Sequence, residues 1–259
     1  MNVSEIYKCM QGEGPLVGTP SILVRLSGCN LRCRWKDPLT GKYVLCDTWY
    51  TSWKAEQKEM SLQDMYNEIV RLATEDKERE TGKRKNPINH IIISGGEPSV
   101  QRDELKKLIS GLLVSGFHIT LETNGTNYIE IPTKYEDKDL TFNLLFSISP
   151  KLASSTPTGT KHEKTHEKER INMTVLEALF KRYPSYLKFV VTGEEDLKEI
   201  KELQKQLGIP NINVYLMPEG ITKETILEWG VKLADICIKH NYRYSPREHV
   251  LLWGNKRGT

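Results

Sequence analysis

Residues 21–53 read SILVRLSGCNLRCRWKDPLTGKYVLCDTWYTSW, and this stretch governs both fold and chemistry. Ile22–Leu26 is an apolar run of strand length. Gly28 lets the chain turn out of that strand into a loop bearing Cys29 and Cys33. Cys46 follows after twelve intervening residues, which carry the turn signals Asp37-Pro38 and Thr40-Gly41. Three thiolates on one loop can each hold one iron of a [4Fe–4S] cluster, leaving the fourth iron open to a ligand's amino and carboxylate groups. On spacing alone, a zinc knot or three unrelated thiols remain open, although no fourth zinc ligand stands nearby.

Outward from this loop, β-branched runs alternate with helical patterns. His90–Ser94, Phe117–Glu122, Leu144–Ser149, Leu187–Thr192 and Asn213–Met217 read as further strands, several apolar enough for a parallel sheet covered on both faces. Ser61–Ala73, Arg102–Val114, Met173–Arg182, Glu195–Leu207 and Lys223–His240 read as helices, the first capped by Ser61 with Asp64 at capping-box spacing. About six βα steps predict an α/β fold, a partial (β/α)6-like barrel that is modified or incomplete. Residues 1–259 are expected to form a single domain with 36–45 inserted in the cysteine loop. The polar segments Glu75–Asn86 and Ser154–Arg170 are expected to be mobile loops.

Composition narrows the class. The 259 residues are 38% hydrophobic and 27% charged, enough for a real core, and a net charge of +3 gives no basic face for nucleic acid. No run approaches the ~18 apolar residues of a membrane span, and the N-terminus lacks signal-peptide order, so a cytoplasmic protein is expected. Five cysteines, an odd number with three in one segment, argue for ligands over disulfides. Cys237 shares a helical face with Ile226, Gly230 and Leu233 and reads as core, and Cys9 reads as a buried inert thiol. His162-Glu163-Lys164-Thr165-His166 spells HExxH, but its neighbours are charged or polar and supply no apolar face to hold ligands rigidly. Zinc proteolysis is rejected.

A second motif converges on the first. Ile91-Ile92-Ile93-Ser94-Gly95-Gly96-Glu97-Pro98 is a buried strand running into a glycine pair, beside which a carboxylate can bind an ammonium group. With the three-cysteine loop, this resembles the radical S-adenosylmethionine (SAM) superfamily. Further matches are Met10-Gln11-Gly12-Glu13-Gly14-Pro15, Cys46-Asp47-Thr48, Glu122-Thr123-Asn124-Gly125, Ser149-Pro150-Lys151-Leu152, Met217-Pro218-Glu219-Gly220 and the tail Ser245–Thr259. The series spans essentially the whole chain and is similar to the 7-carboxy-7-deazaguanine synthase family of the queuosine pathway.

That resemblance, and not composition or periodicity, implies ring contraction of 6-carboxy-5,6,7,8-tetrahydropterin with loss of ammonia. It implies a [4Fe–4S] cluster on Cys29, Cys33 and Cys46, with SAM contacted by Gly95, Gly96, Glu97, Asp47, Ser149, Pro150 and Lys151. It also implies a Mg²⁺ ion at Thr48, an electron donor such as flavodoxin or ferredoxin, and a homodimer. Substrate contacts fall to Met10, Gln11, Gly12, Glu13, Ser94, His249 and Asn255, and Arg25 can pair bidentately with the substrate carboxylate. Two departures stand out. The family's last cysteine gap is two residues against twelve here, so 36–45 is expected to form a hairpin or loop that returns Cys46 to the cluster. Leu45 replaces the aromatic residue that usually precedes the third cysteine, and Trp35 is expected to supply the adenine contact. Rival readings are a glycyl-radical-enzyme activase and a non-catalytic iron–sulfur or zinc protein.

Overall fold

The structure, a computed structural model, describes residues 1–75 and 87–258. Its centre is a nine-stranded sheet. From one edge the strands run 243–244, 214–218, 185–191, 144–148, 118–123, 90–95, 20–26, 2–10 and 58–59. All six expected strands form, lie side by side in chain order and pair in parallel. The ladder register is set by burial. Ile22, Val24, Leu26, Ile93, Phe146, Ile148, Leu187 and Phe189 are fully buried against helices, at about 1.5–3 kcal/mol for each large apolar side chain. The alternate positions, among them Arg25, Ser94, Glu122, Ser147 and Lys188, line a cavity. The strands are therefore apolar on one face and mixed on the other.

The N-terminal extension is itself a strand, Asn2–Met10, which pairs antiparallel with Pro20–Leu26. Its sequence has no clean alternation, and its form depends on pairing with its neighbours, Pro20–Leu26 on one side and Lys58–Glu59 on the other. The five expected helices form within a residue or two at each end. Ser61 Oγ accepts from Asp64 N at 3.0 Å, as the capping spacing predicts. One crossover is modified: between His118–Thr123 and Leu144–Ile148 a short hairpin, Lys134–Tyr135 with Lys138–Asp139, stands where a helix would be. The sheet stays open, with edge strands on both sides.

One expected loop is wrong and one is outside the description. Ser154–Arg170 is not all loop: a 3₁₀ turn, Ala153–Ser155, leads into it, and Glu163–Glu169 is a helix. His166 supplies the missing anchor, being 1% exposed with Nε2 3.0 Å from Ser155 Oγ. A single buried histidine in a charged run gives no periodicity, so composition could not show it. His162 precedes the helix and meets the Trp53 ring edge-on at 5.5 Å, so the two histidines do different structural work. Residues 76–86 of the other expected loop lie outside the described residues.

Burial holds two imidazoles neutral. His90, between Ser21 Oγ at 2.7 Å and Thr120 Oγ1 at 2.9 Å, is pushed down to about 4, and His166 likewise to about 4. Between the ordinary histidine value and 4, the unfolded chain binds protons that the folded chain refuses. Stability therefore falls on acidification through that window. Thermal melts from pH 7 to 4 should show the melting temperature dropping, with a shallower drop in His90→Asn.

Candidate functional site

A cavity of about 430 Å³ lies on the sheet face that carries Arg25, Ser94, Glu122, Ser147 and Lys188. Cys29, Cys33 and Cys46 line it, together with every other residue assigned from the sequence except Glu97 and Pro150. The twelve-residue gap closes on itself as a hairpin, Arg34–Lys36 paired antiparallel with Tyr43–Leu45, in the register Arg34↔Leu45. Asp37 Oδ1 accepts from Thr40 N at 2.7 Å and Leu39 N at 3.1 Å to form its turn. At its base Cys46 N donates to Cys33 O at 3.3 Å, so the two cysteines sit across one ladder rung. Trp35 is buried among Leu31, Cys33 and Val190 and faces the cavity, whereas Leu45 is 41% exposed and does not.

The glycine pair lines the cavity and also makes a close backbone approach of its own. A Cβ on Gly95 would stand 2.0 Å from Leu26 O, and one on Gly96 2.0 Å from Gly28 O. The close approach these residues permit is to the backbone of the cysteine turn, which they pin through Gly96 N→Leu26 O (3.0 Å) and Glu97 N→Gly28 O (2.8 Å). Glu97 is a correction to the ammonium-binding reading. It is 1% exposed, with Oε1 accepting from Ser99 N, Ser99 Oγ and Thr123 Oγ1, and Oε2 from Asn124 N at 2.6 Å. Its carboxylate staples the glycine turn to the end of the next strand. Pro150 is buried behind the wall.

The Gln11–Gly14 segment and the tail seat on each other. A Cβ at Gly12 would lie 2.3 Å from His249 Nδ1, and one at Gly14 2.4 Å from the Tyr186 hydroxyl. Gly12 O accepts from Glu248 N at 2.9 Å, and Gly14 N donates to Ser245 Oγ at 2.8 Å. Glu13 is thereby turned onto Lys188 and Arg247, whose charges outweigh burial and hold its carboxyl below the usual range. Arg247 is 3% exposed and also pairs with Asp47. Although burial pushes the Asp47 carboxyl up, Arg247 brings it down to about 2.

Arg25 stands in the wall with Nε 3.3 Å from Glu5 and Nη2 donating to Tyr7 at 3.4 Å. Ser94 Oγ donates to Glu122 at 2.7 Å, and Lys151 donates to Ser149 Oγ at 2.9 Å, half-buried where a solvated charge would be the bland expectation. Cys9 also lines the wall, half-buried, with its thiol pushed up to about 12 by burial. Cys237 is core, as its helical face predicts. Sequence reasoning missed Lys188, Arg247 and the role of Glu219, whose carboxyl burial raises to about 7. Lys188 was findable: it is a charge in the middle of an apolar strand, at the same alternate phase as Val190.

Among curated proteins, the 7-carboxy-7-deazaguanine synthase of Halobacterium salinarum is 36% identical over 270 residues, covering 99% of this chain and 92% of its own length. That of Rhodopirellula baltica is 34% identical, covering 99% and 88%. This chain belongs to the 7-carboxy-7-deazaguanine synthase family. The crystal structure of QueE from Escherichia coli matches with a TM-score of 0.60 at 22% identity, covering 96% of this chain and 94% of that one, which speaks to the fold. No family model matches.

Membership in this radical SAM family implies a [4Fe–4S] cluster and SAM, and the residues fit. Among the described residues no three His, Cys, Asp or Glu side chains gather closely enough to share one metal ion. Cys29, Cys33 and Cys46 all line one cavity, which suits a group that takes one thiolate at each of three irons. Burial pushes the Cys29 thiol to about 11 and Cys46 to about 12, so ligation releases protons, eased by the positive charge of Lys151. Gly96→Ala should cut iron content after anaerobic reconstitution several-fold, because the cysteine turn must move. Glu97→Ala should cost about 3 kcal/mol in a denaturant melt, the order of a buried charged acceptor lost to several donors.

Proposed function

We propose that this chain is a radical SAM lyase that converts 6-carboxy-5,6,7,8-tetrahydropterin to 7-carboxy-7-deazaguanine with loss of ammonia. The carrying observation is the full-length similarity to synthases of that name, joined to one cavity that collects the three cysteines, Arg25 and the Gln11–Gly14 segment. Bound at the cysteines, the cluster and SAM supply a carbon-centred radical for hydrogen abstraction. Gly95, Gly96, Asp47, Ser149 and Lys151 form the SAM side of the wall, and Trp35 offers a ring to its adenine.

The substrate side is built for a flat heterocycle with a carboxylate. Arg25, held by Glu5 and Tyr7 with its guanidinium in the wall, presents a planar cation to the carboxylate. Gln11, Glu13, Met10, Gly12 and Ser94 contribute acceptors, donors and contact surface to the ring. His249 and Asn255 bring the tail into the cavity wall. Thr48, whose Oγ1 lies in the cavity wall 3.3 Å from Cys46 Sγ and 3.5 Å from Gly95 O, would supply one hard oxygen to a hydrated Mg²⁺ ion. A homodimer, a flavodoxin- or ferredoxin-type electron donor and a cytoplasmic location complete the proposal.

Anaerobic incubation with SAM, dithionite, Mg²⁺ and the tetrahydropterin should yield 7-carboxy-7-deazaguanine by mass analysis, and absence of that product overturns the reading. Alanine at Cys29, Cys33 or Cys46 should abolish SAM cleavage. Arg25→Ala should raise KM about 10- to 100-fold, as loss of a charged hydrogen-bonded pair does, with iron content retained.

A further inference from the structure

Lys188 is the most deeply buried ammonium at the cavity. It is 4% exposed, at the centre of the Ser185–Val191 strand, and its Nζ pairs with Glu13 and lies 3.6 Å from Glu122. These carboxylates come from two separate segments of the chain, Glu13 from the first turn and Glu122 from the end of the His118–Thr123 strand. Both also line the cavity. Two carboxylates around a buried space share a proton unless a cation stands between them. A carboxylate that has taken up a proton presents a donor where an ionised one presents only acceptors. The amide-like edge and ring amines of a tetrahydropterin require acceptors at their N–H groups. We infer that Lys188 is a positioning residue for this reaction, anchoring the Glu13 and Glu122 carboxylates at a fixed separation so that both face the N–H-bearing edge of the bound heterocycle. The inference rests on the proposed substrate.

The surroundings leave this work to Lys188. Glu13 is faced by Lys188, by Arg247 and by His249, but Arg247 is shared with Asp47 and Gly220 O. Glu122 is faced by Lys188 and by the Ser94 hydroxyl, with Cys9, Tyr186 and His249 as its other titratable neighbours. Arg247 thus aligns Glu13 with the tail, and Lys188 is the cation these two acceptors have in common.

The test is binding of 6-carboxypterin to the reconstituted holoenzyme by fluorescence titration from pH 5 to 8, together with KM for the tetrahydropterin, in wild type, Lys188→Gln, Lys188→Met and Lys188→Arg. Iron content and a thermal melt accompany each variant. Lys188→Gln should raise Kd and KM at least tenfold with a smaller fall in kcat. Since Lys188 favours the ionised form of Glu13, its removal should move the acid limb of binding to higher pH. Lys188→Arg should restore most of the affinity and return the acid limb. If Lys188→Met does not fold, the Gln and Arg variants carry the comparison. Wild-type affinity and an unmoved acid limb in Lys188→Gln overturn the inference, as does a lowered melting temperature with binding intact below it. A wild type that binds no 6-carboxypterin overturns the substrate reading itself, an outcome read from a separate arm.

Discussion

The contact on which the site depends is between two backbones. Gly95 and Gly96 lie so close to Leu26, Gly28 and Thr51 that no side chain fits between them. The parallel ladder between Pro20–Leu26 and His90–Gly95 thus continues past the strand ends into the cysteine turn, through Gly96 N→Leu26 O and Glu97 N→Gly28 O. Gly28 N in turn donates to Thr51 O at 2.8 Å, which ties down the far side of the loop. The thiols are therefore carried on an extension of the sheet, where positions are fixed more tightly than on a free loop. Glu97 converts that contact into a junction by gathering donors from its own turn and from Thr123 and Asn124.

The sheet's period-two alternation then distributes the chemistry. Each core strand gives one face to helices and the other to the cavity, so Arg25, Ser94, Glu122, Ser147 and Lys188 come into one space from five separate strands. Charges cannot be buried singly, and here they alternate in sign from Glu122 through Lys188, Glu13 and Arg247 to Asp47. That chain joins the substrate side to the residue beside Cys46. It also explains why the tail is part of the site: without Arg247, Glu13 and Asp47 lose a shared counter-ion.

How far this was legible follows from what each signal reports. The six parallel strands and five long helices carry strong periodicity or apolar runs, and they stand where the sequence puts them. Asn2–Met10 has Glu5 and Lys8 among its residues and depends on pairing for its form, so no local pattern declares it. His166 anchors a helix through one buried ring, which a composition count cannot register. The motif residues were readable as a set, because several short matches spread along the chain are hard to meet by chance. Their individual roles were less so. Glu97 looked like a ligand because a carboxylate beside glycines often is one, and only the donors around it show a structural clamp.

The long cysteine gap looks like the largest departure and is structurally the mildest. Loop-closure entropy grows slowly with length, and a hairpin recovers part of it through its own ladder. What the site requires is that Cys33 and Cys46 meet at the base of the insertion. The Cys46 N→Cys33 O bond and the Arg34↔Leu45 pair ensure this, whatever lies between Lys36 and Tyr43. Asp37 then ties the hairpin's tip to the body, its Oδ2 accepting from Thr225 Oγ1 at 3.2 Å. The same arrangement frees position 45: a residue on the outer side of the ladder cannot reach the cavity, and the inward ring passes to Trp35 on the opposite strand. Gap length and the missing aromatic are thus one change, because the rung that restores Cys46 also turns Leu45 outward.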